Sequence, residues 1–78
     1  MTDTTIHGIK VSYDDSHERV KNFVEHLKSE AMREEMKACY DEAKNNENYK
    51  IHISDKYGNE FTMEYLGDYH CKLRLRDF

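Results

Sequence analysis

The stretch YKIHISDKYGNEFTMEYLGDYHCKLRLR, residues 49–76, decides the fold. Apolar and polar side chains alternate through it in three runs: Tyr49, Ile51 and Ile53; Phe61, Met63 and Tyr65; Tyr69, Cys71, Leu73 and Leu75. A period of two is the mark of a sheet packed on one face and wet on the other, so the runs predict a three-stranded antiparallel meander. Asp55-Lys56-Tyr57-Gly58-Asn59 and Leu66-Gly67-Asp68 carry the residues that tolerate tight turns between them. Pairing Phe61 with Ile53 and with Leu73 keeps every apolar residue on one face, whereas a slip by one residue mixes the faces. That register also sets Lys50 opposite Glu64, Glu64 opposite His70, and Glu60 opposite Arg74, all favourable cross-strand pairs.

Upstream of the meander the period changes. Val20, Phe23, Val24, Leu27 and Ala31 follow the spacing of one buried helical stripe. Met32, Met36, Cys39 and Ala43 form a second stripe, rotated by about a third of a turn at ~100° per residue. One straight helix cannot turn both stripes to one core, so the pattern predicts two helices, or one bent helix, with the break near Lys28-Ser29-Glu30 and Ser29 as a cap. Asp15-Ser16-His17-Glu18 reads as a capping box that starts the first helix near Ser16. Before it, Ile9, Val11 and Tyr13 alternate with Lys10 and Ser12 and predict one N-terminal strand after Gly8, with Ile6 out of phase. The expectation is a single α+β domain over residues 1–78: an N-terminal strand, two helices or one bent helix, and a three-stranded meander with the helices on one face.

Length and composition bound the function. Seventy-eight residues leave no room for a second domain or a deep enclosed pocket. No apolar run reaches the ~18 residues that cross a bilayer, and Met1-Thr2-Asp3-Thr4-Thr5 has no signal-peptide character, so the expected location is the cytoplasm, with no membrane partner. Cys39 and Cys71 lack metal-site spacing and read as reduced, buried thiols; their spacing alone leaves a disulfide open. The net charge of −4 is uneven. Residues 14–47 hold ten acidic and six basic side chains, whereas residues 69–76 carry Lys72, Arg74 and Arg76 without an acid. Such asymmetry favours an oriented encounter with a partner.

No motif names an activity. There is no phosphate-cradling glycine loop or nucleophile elbow, and no cofactor or metal is expected. His70 and Cys71 are neighbours on one strand and point to opposite faces, so they cannot act as base and nucleophile. The first functional reading is therefore a non-enzymatic domain that binds another protein, in the style of a small inhibitor or modulator. Its surface is the acidic helical face bearing Glu30, Glu34, Glu35, Met36, Tyr40 and Asp41, where methionine and tyrosine beside charge would anchor an interface. Apolar residues left uncovered there would equally suit a homodimer. The alternative is an RNA or other nucleic-acid partner on the outer sheet face, held by Lys50, His52, His70, Lys72, Arg74 and Arg76, with Tyr57 or Tyr69 stacking a base. His52, Glu64, His70 and Arg74 also match the residue types of metal-independent phosphodiester cleavage, which makes a small ribonuclease the catalytic extension of that alternative.

Overall fold

A computed structural model describes residues 2–76. Threonine-rich Thr2–Ile6 (β1) and Ile9–Tyr13 (β2) pair antiparallel, from Thr2 opposite Tyr13 to Ile6 opposite Ile9. The two-residue link is His7-Gly8, with φ of 51° and 86°. Positive φ at both central positions is the hairpin geometry whose twist matches the strands, and glycine takes the second position without strain. This hairpin corrects the expectation of one N-terminal strand. Ile6 is not out of phase: the turn reverses the chain between Ile6 and Ile9, and both are buried.

The helical segment breaks where the two stripes diverge. Glu18–Leu27 (α1) buries Val20, Phe23, Val24 and Leu27, and Arg33–Asn45 (α2) buries Met36, Tyr40 and Ala43. A single 3-10 turn, Glu30–Met32, joins them. The caps differ from expectation. No side chain caps α1, because Asp14 accepts from the Ser16 amide and hydroxyl while Asp15 accepts from the Thr2 hydroxyl. Ser29 holds the extended cap conformation without a side-chain bond. The end of α1 is instead closed from β1 to β2: His7 Nε2 donates to the carbonyls of Leu27 (2.9 Å) and Ser29 (3.0 Å).

Lys50–Ser54 (β3), Glu60–Gly67 (β4) and His70–Leu75 (β5) form the meander, which is part of a larger sheet. The sheet is five-stranded and mixed, in the order β1-β2-β5-β4-β3, with β2 parallel to β5 from Lys10 opposite His70 to Tyr13 opposite Leu73. The β3–β4 register is as expected, including Ile53 opposite Phe61 and Lys50 opposite Glu64. Between β4 and β5 it is displaced by two residues: Phe61 faces Leu75, Met63 faces Leu73, Glu64 faces Lys72 and Thr62 faces Arg74. The cause is a bulge between Tyr65 and Gly67, which moves the turn to Asp68-Tyr69 and closes it with Gly67 opposite His70. A shift of two preserves the faces, so alternation alone does not distinguish the two registers.

α1 packs on β5 and α2 on β3 and β4, all on one face of the sheet. The core between the layers contains Val11, Val24, Leu27, Met36, Phe61, Met63, Cys71 and Leu73, all fully buried. Phe23 stacks on Phe61 with ring centroids 4.4 Å apart. Tyr49 and Tyr69, expected on the packed side, are 54% and 70% exposed. Both lie outside the strands, with left-handed φ of 56° and 55°.

Candidate nucleic-acid interface

Alternation sends the side chains between the core residues to the face that carries no helices. Across that face the registers align rows of polar groups. Asp3, Ser12, Lys72, Glu64 and Lys50 form one row, spanning all five strands. Arg74, Thr62 and His52 form the next, while Lys10 and His70 lie on the other side of the first. The structure thus brings together all six residues of the nucleic-acid reading, Lys50, His52, His70, Lys72, Arg74 and Arg76, and adds Lys10. Lys10 pairs with Asp3 (3.5 Å) and Arg76 with Glu60 (3.6 Å). Lys50, Lys72 and Arg74 make no ion pair among the described residues, and Glu64 is the one carboxylate opposite two of them.

Two buried hydroxyls order this face. Ser12 donates to Asp3 Oδ1 (2.6 Å) and accepts from His70 Nε2 (2.9 Å), joining β1, β2 and β5. The hydrogen bond from Ser12, together with Lys10 and His70, holds the Asp3 carboxyl below the usual aspartate range. With its only proton given to Asp3, Ser12 must accept from His70, which fixes Nε2 as the protonated nitrogen. This order of groups is opposite to that of a histidine-activated serine nucleophile. His52 Nδ1 bonds Thr62 Oγ1 at 3.0 Å. Asp3, Ser12 and Thr62 were not candidates from sequence. Ser12 and Thr62 occupy wet-face positions of the alternation, and only the neighbouring strands show that they are buried.

The registers also separate the two histidines of the ribonuclease reading. His52 is in line with Arg74, four residues along β5 from His70. Two strand spacings and four residue steps put their Cα atoms about 16 Å apart. A single phosphodiester does not span them as an acid–base pair.

On the helical side Glu30, Glu34, Glu35 and Asp41 are exposed, but the two proposed anchors are core residues. Met36 is 0% and Tyr40 5% exposed. Glu30 is held by Arg33 through two hydrogen bonds of 2.9 and 3.1 Å. The Tyr40 hydroxyl donates to the Gly67 carbonyl (2.8 Å) and accepts from the Tyr69 amide (2.6 Å), so this side chain holds the β4–β5 turn from beneath. The break at Glu30–Met32 lets each helix turn its own apolar side to the core.

Neither thiol is poised for chemistry. Both are free, burial pushes the Cys71 thiol up to about 12, and burial with Glu35 and Glu42 raises that of half-buried Cys39. A thiol so shifted is a poor nucleophile. Among the described residues no three His, Cys, Asp or Glu side chains converge as a metal site, and no helix is long and apolar enough to cross a membrane.

Large exposed apolar side chains concentrate at one end of the sheet. Tyr49, Leu66 and Tyr69 are there, and Tyr57 is at the other end, under the Lys56 ammonium. The Tyr65 ring stands between Tyr49 and Tyr40, with centroid distances of 5.8 and 5.7 Å. Left-handed φ at Tyr49 and Tyr69 had no sequence signal, since tyrosine rarely takes that conformation. No protein-family model, curated protein or solved structure matches this chain.

Proposed function

We propose that this is a cytoplasmic protein that binds single-stranded RNA on the open face of its sheet. The observation that carries the reading is the row structure of that face: Lys50 on β3 and Lys72 and Arg74 on β5, without ion-pair partners among the described residues, lie on two neighbouring rows either side of β4, with His52 and His70 on the same strands. Cations at strand spacing suit a phosphodiester chain lying across a sheet, and exposed tyrosines at the sheet ends offer planes for unstacked bases. The acidic remainder of the molecule repels the same polyanion and so orients it toward this face. Recognition is favoured over cleavage, because His52 and His70 are too far apart to share one phosphate.

The test is binding of a labelled oligoribonucleotide followed by fluorescence anisotropy. Lys72→Glu with Arg74→Glu should abolish binding while the circular dichroism spectrum is kept. Unchanged affinity in that folded double variant would sink the proposal.

A protein partner is the second reading, and it moves from the helical face to the sheet end. With Met36 and Tyr40 buried, the helices lack the apolar anchors of an interface, whereas Tyr49, Leu66 and Tyr69 are exposed. Tyrosine-rich exposed surface of this kind anchors interfaces. A tagged pull-down split into nuclease-treated and untreated halves separates the readings: a stoichiometric protein that survives nuclease favours this one.

A further inference from the structure

We infer that the cleft at the Tyr69 end of the sheet receives the phosphorylated terminal nucleotide of the bound RNA, an inference that rests on the RNA-binding reading. The cleft, of about 580 Å³, opens between α2 and the two turns His7-Gly8 and Asp68-Tyr69. Its size suits one nucleotide, since small-molecule sites span roughly 300–1,000 Å³. Its lining combines three chemistries that a ribonucleotide needs together. Lys37 and Lys44 on α2 project ammonium groups with no ion pair among the described residues. Asp68 faces them from the turn and can accept from ribose hydroxyls, as carboxylates do in nucleotide sites. Tyr69 supplies an exposed ring for the base.

The same tyrosine joins the cleft to the sheet face. β2 and β5 are parallel, so the His7-Gly8 turn that leads into β2 and the Asp68-Tyr69 turn that leads into β5 lie at one end. Tyr69 immediately precedes His70, the first outer-face residue of β5, and also lines the cleft. A strand running along Arg74, Lys72 and His70 therefore reaches the cleft by crossing a single residue. That residue is held firmly in a costly conformation. Its φ is 55°, its amide donates to the Tyr40 hydroxyl, and its carbonyl accepts from the Lys10 amide at 2.7 Å. Strained backbone fixed from two sides, with the side chain left in solvent, is the pattern of a prepared contact.

The experiment compares one short RNA in four forms: hydroxyl at both ends, 5′-phosphate, 3′-phosphate, and the hydroxyl form with excess 5′-AMP as competitor. One phosphorylated form should bind on the order of tenfold more tightly, the size of one charge-assisted contact. The gain should vanish in Lys37→Gln/Lys44→Gln, whose exposed side chains are absent from the core. Lys72→Gln should instead weaken all forms alike. Competition by 5′-AMP in the wild type, lost in the lysine double variant, would locate the nucleotide in the cleft without the strand. Equal affinity for every end chemistry, or a phosphate preference that persists in the double variant, would overturn the inference and leave RNA binding standing. Failure of all RNAs to bind would remove both.

Discussion

Tyr69 concentrates the residue-scale argument. An L-residue in the left-handed region costs about 1–2 kcal/mol, and glycine avoids that cost while losing about 0.5–1 kcal/mol to chain entropy. Because the ring is mostly exposed, little packing is lost on its removal. Tyr69→Gly should therefore raise unfolding free energy by about 0.5–1 kcal/mol in urea while weakening RNA binding. A variant that loses stability would show that the turn is not strained in the way its φ implies. Ser12 is the opposite case, a small buried residue on which two neighbours depend. Ser12→Ala removes one hydrogen bond from the exposed Asp3 carboxylate, which keeps Lys10, and leaves His70 Nε2 without its acceptor, and should cost about 0.5–1.5 kcal/mol, the net worth of a hydrogen bond. Its signature is specific: the Asp3 carboxyl should titrate nearer the ordinary aspartate range, read by NMR of the side-chain carbonyl. An unchanged Asp3 titration would mean that Lys10, not Ser12, sets that carboxyl.

At the scale of elements, strength of patterning governs what the sequence makes legible. Val20, Phe23, Val24, Leu27 and Ala31 against Met32, Met36, Cys39 and Ala43 specify two helices and their break, because two stripes cannot share one axis. The faces of β3, β4 and β5 are equally plain from alternation. β1 was hidden because Thr2, Asp3, Thr4 and Thr5 offer no apolar alternation; it is held as an edge by pairing with β2 and by bonds such as Ser12 to Asp3. The parallel contact of β2 with β5 joins residues about sixty positions apart and leaves no local mark. The bulge between Tyr65 and Gly67 escaped for a different reason: a two-residue shift keeps the apolar face intact and exchanges one set of favourable charge pairs for another. The same error lost the site. With Thr62 rather than Glu60 opposite Arg74, the arginine has no cross-strand carboxylate and becomes available. Met36 belongs to the second apolar stripe and is buried with it, whereas Tyr40 lies outside that stripe and is buried by reaching the β4–β5 turn, a contact that no residue pattern announces. Met36→Ala tests that placement directly. A core methionine truncated to alanine costs about 2–5 kcal/mol, whereas an exposed interface methionine would cost almost nothing and would weaken a complex instead. The hairpin turn gives a cleaner number. A Cβ at Gly8 meets open space, so Gly8→Ala carries only the conformational penalty of φ 86°, about 1–2 kcal/mol.

For the whole molecule, charge sets how stability depends on pH and how the proposed RNA binding should depend on salt. Asp3, Asp14 and Glu30 are held below their usual ranges, mainly by hydrogen bonds from Ser12, Ser16 and Arg33 respectively. The folded state therefore releases these protons at lower pH than the unfolded chain does. Stability from this source is complete above the ordinary carboxylate range and declines as pH falls through it. Cys71 acts at the other end. Its thiol is raised from 9.0 to about 12 by burial, so the unfolded chain ionises first as pH climbs above 9.0, and stability declines from there toward about 12. Salt should act on the proposed RNA binding more strongly than on either effect. Each phosphate neutralised on a single strand contributes about −0.7 to the slope of log K against log salt. If Lys50, Lys72 and Arg74 are the three cations that release counterions, the slope should be about −2, because Lys10 and Arg76 are already occupied by Asp3 and Glu60. Lys72→Gln should bring it to about −1.4, and Asp3→Asn, which removes the ion-pair partner of Lys10, should steepen the wild-type slope toward about −2.8. The second substitution is the more demanding test. A general loss of negative charge raises affinity at any one salt concentration, but only a newly freed phosphate contact on this face changes the slope by a whole increment, and a parallel displacement of the line would show that RNA does not reach Lys10 on β2.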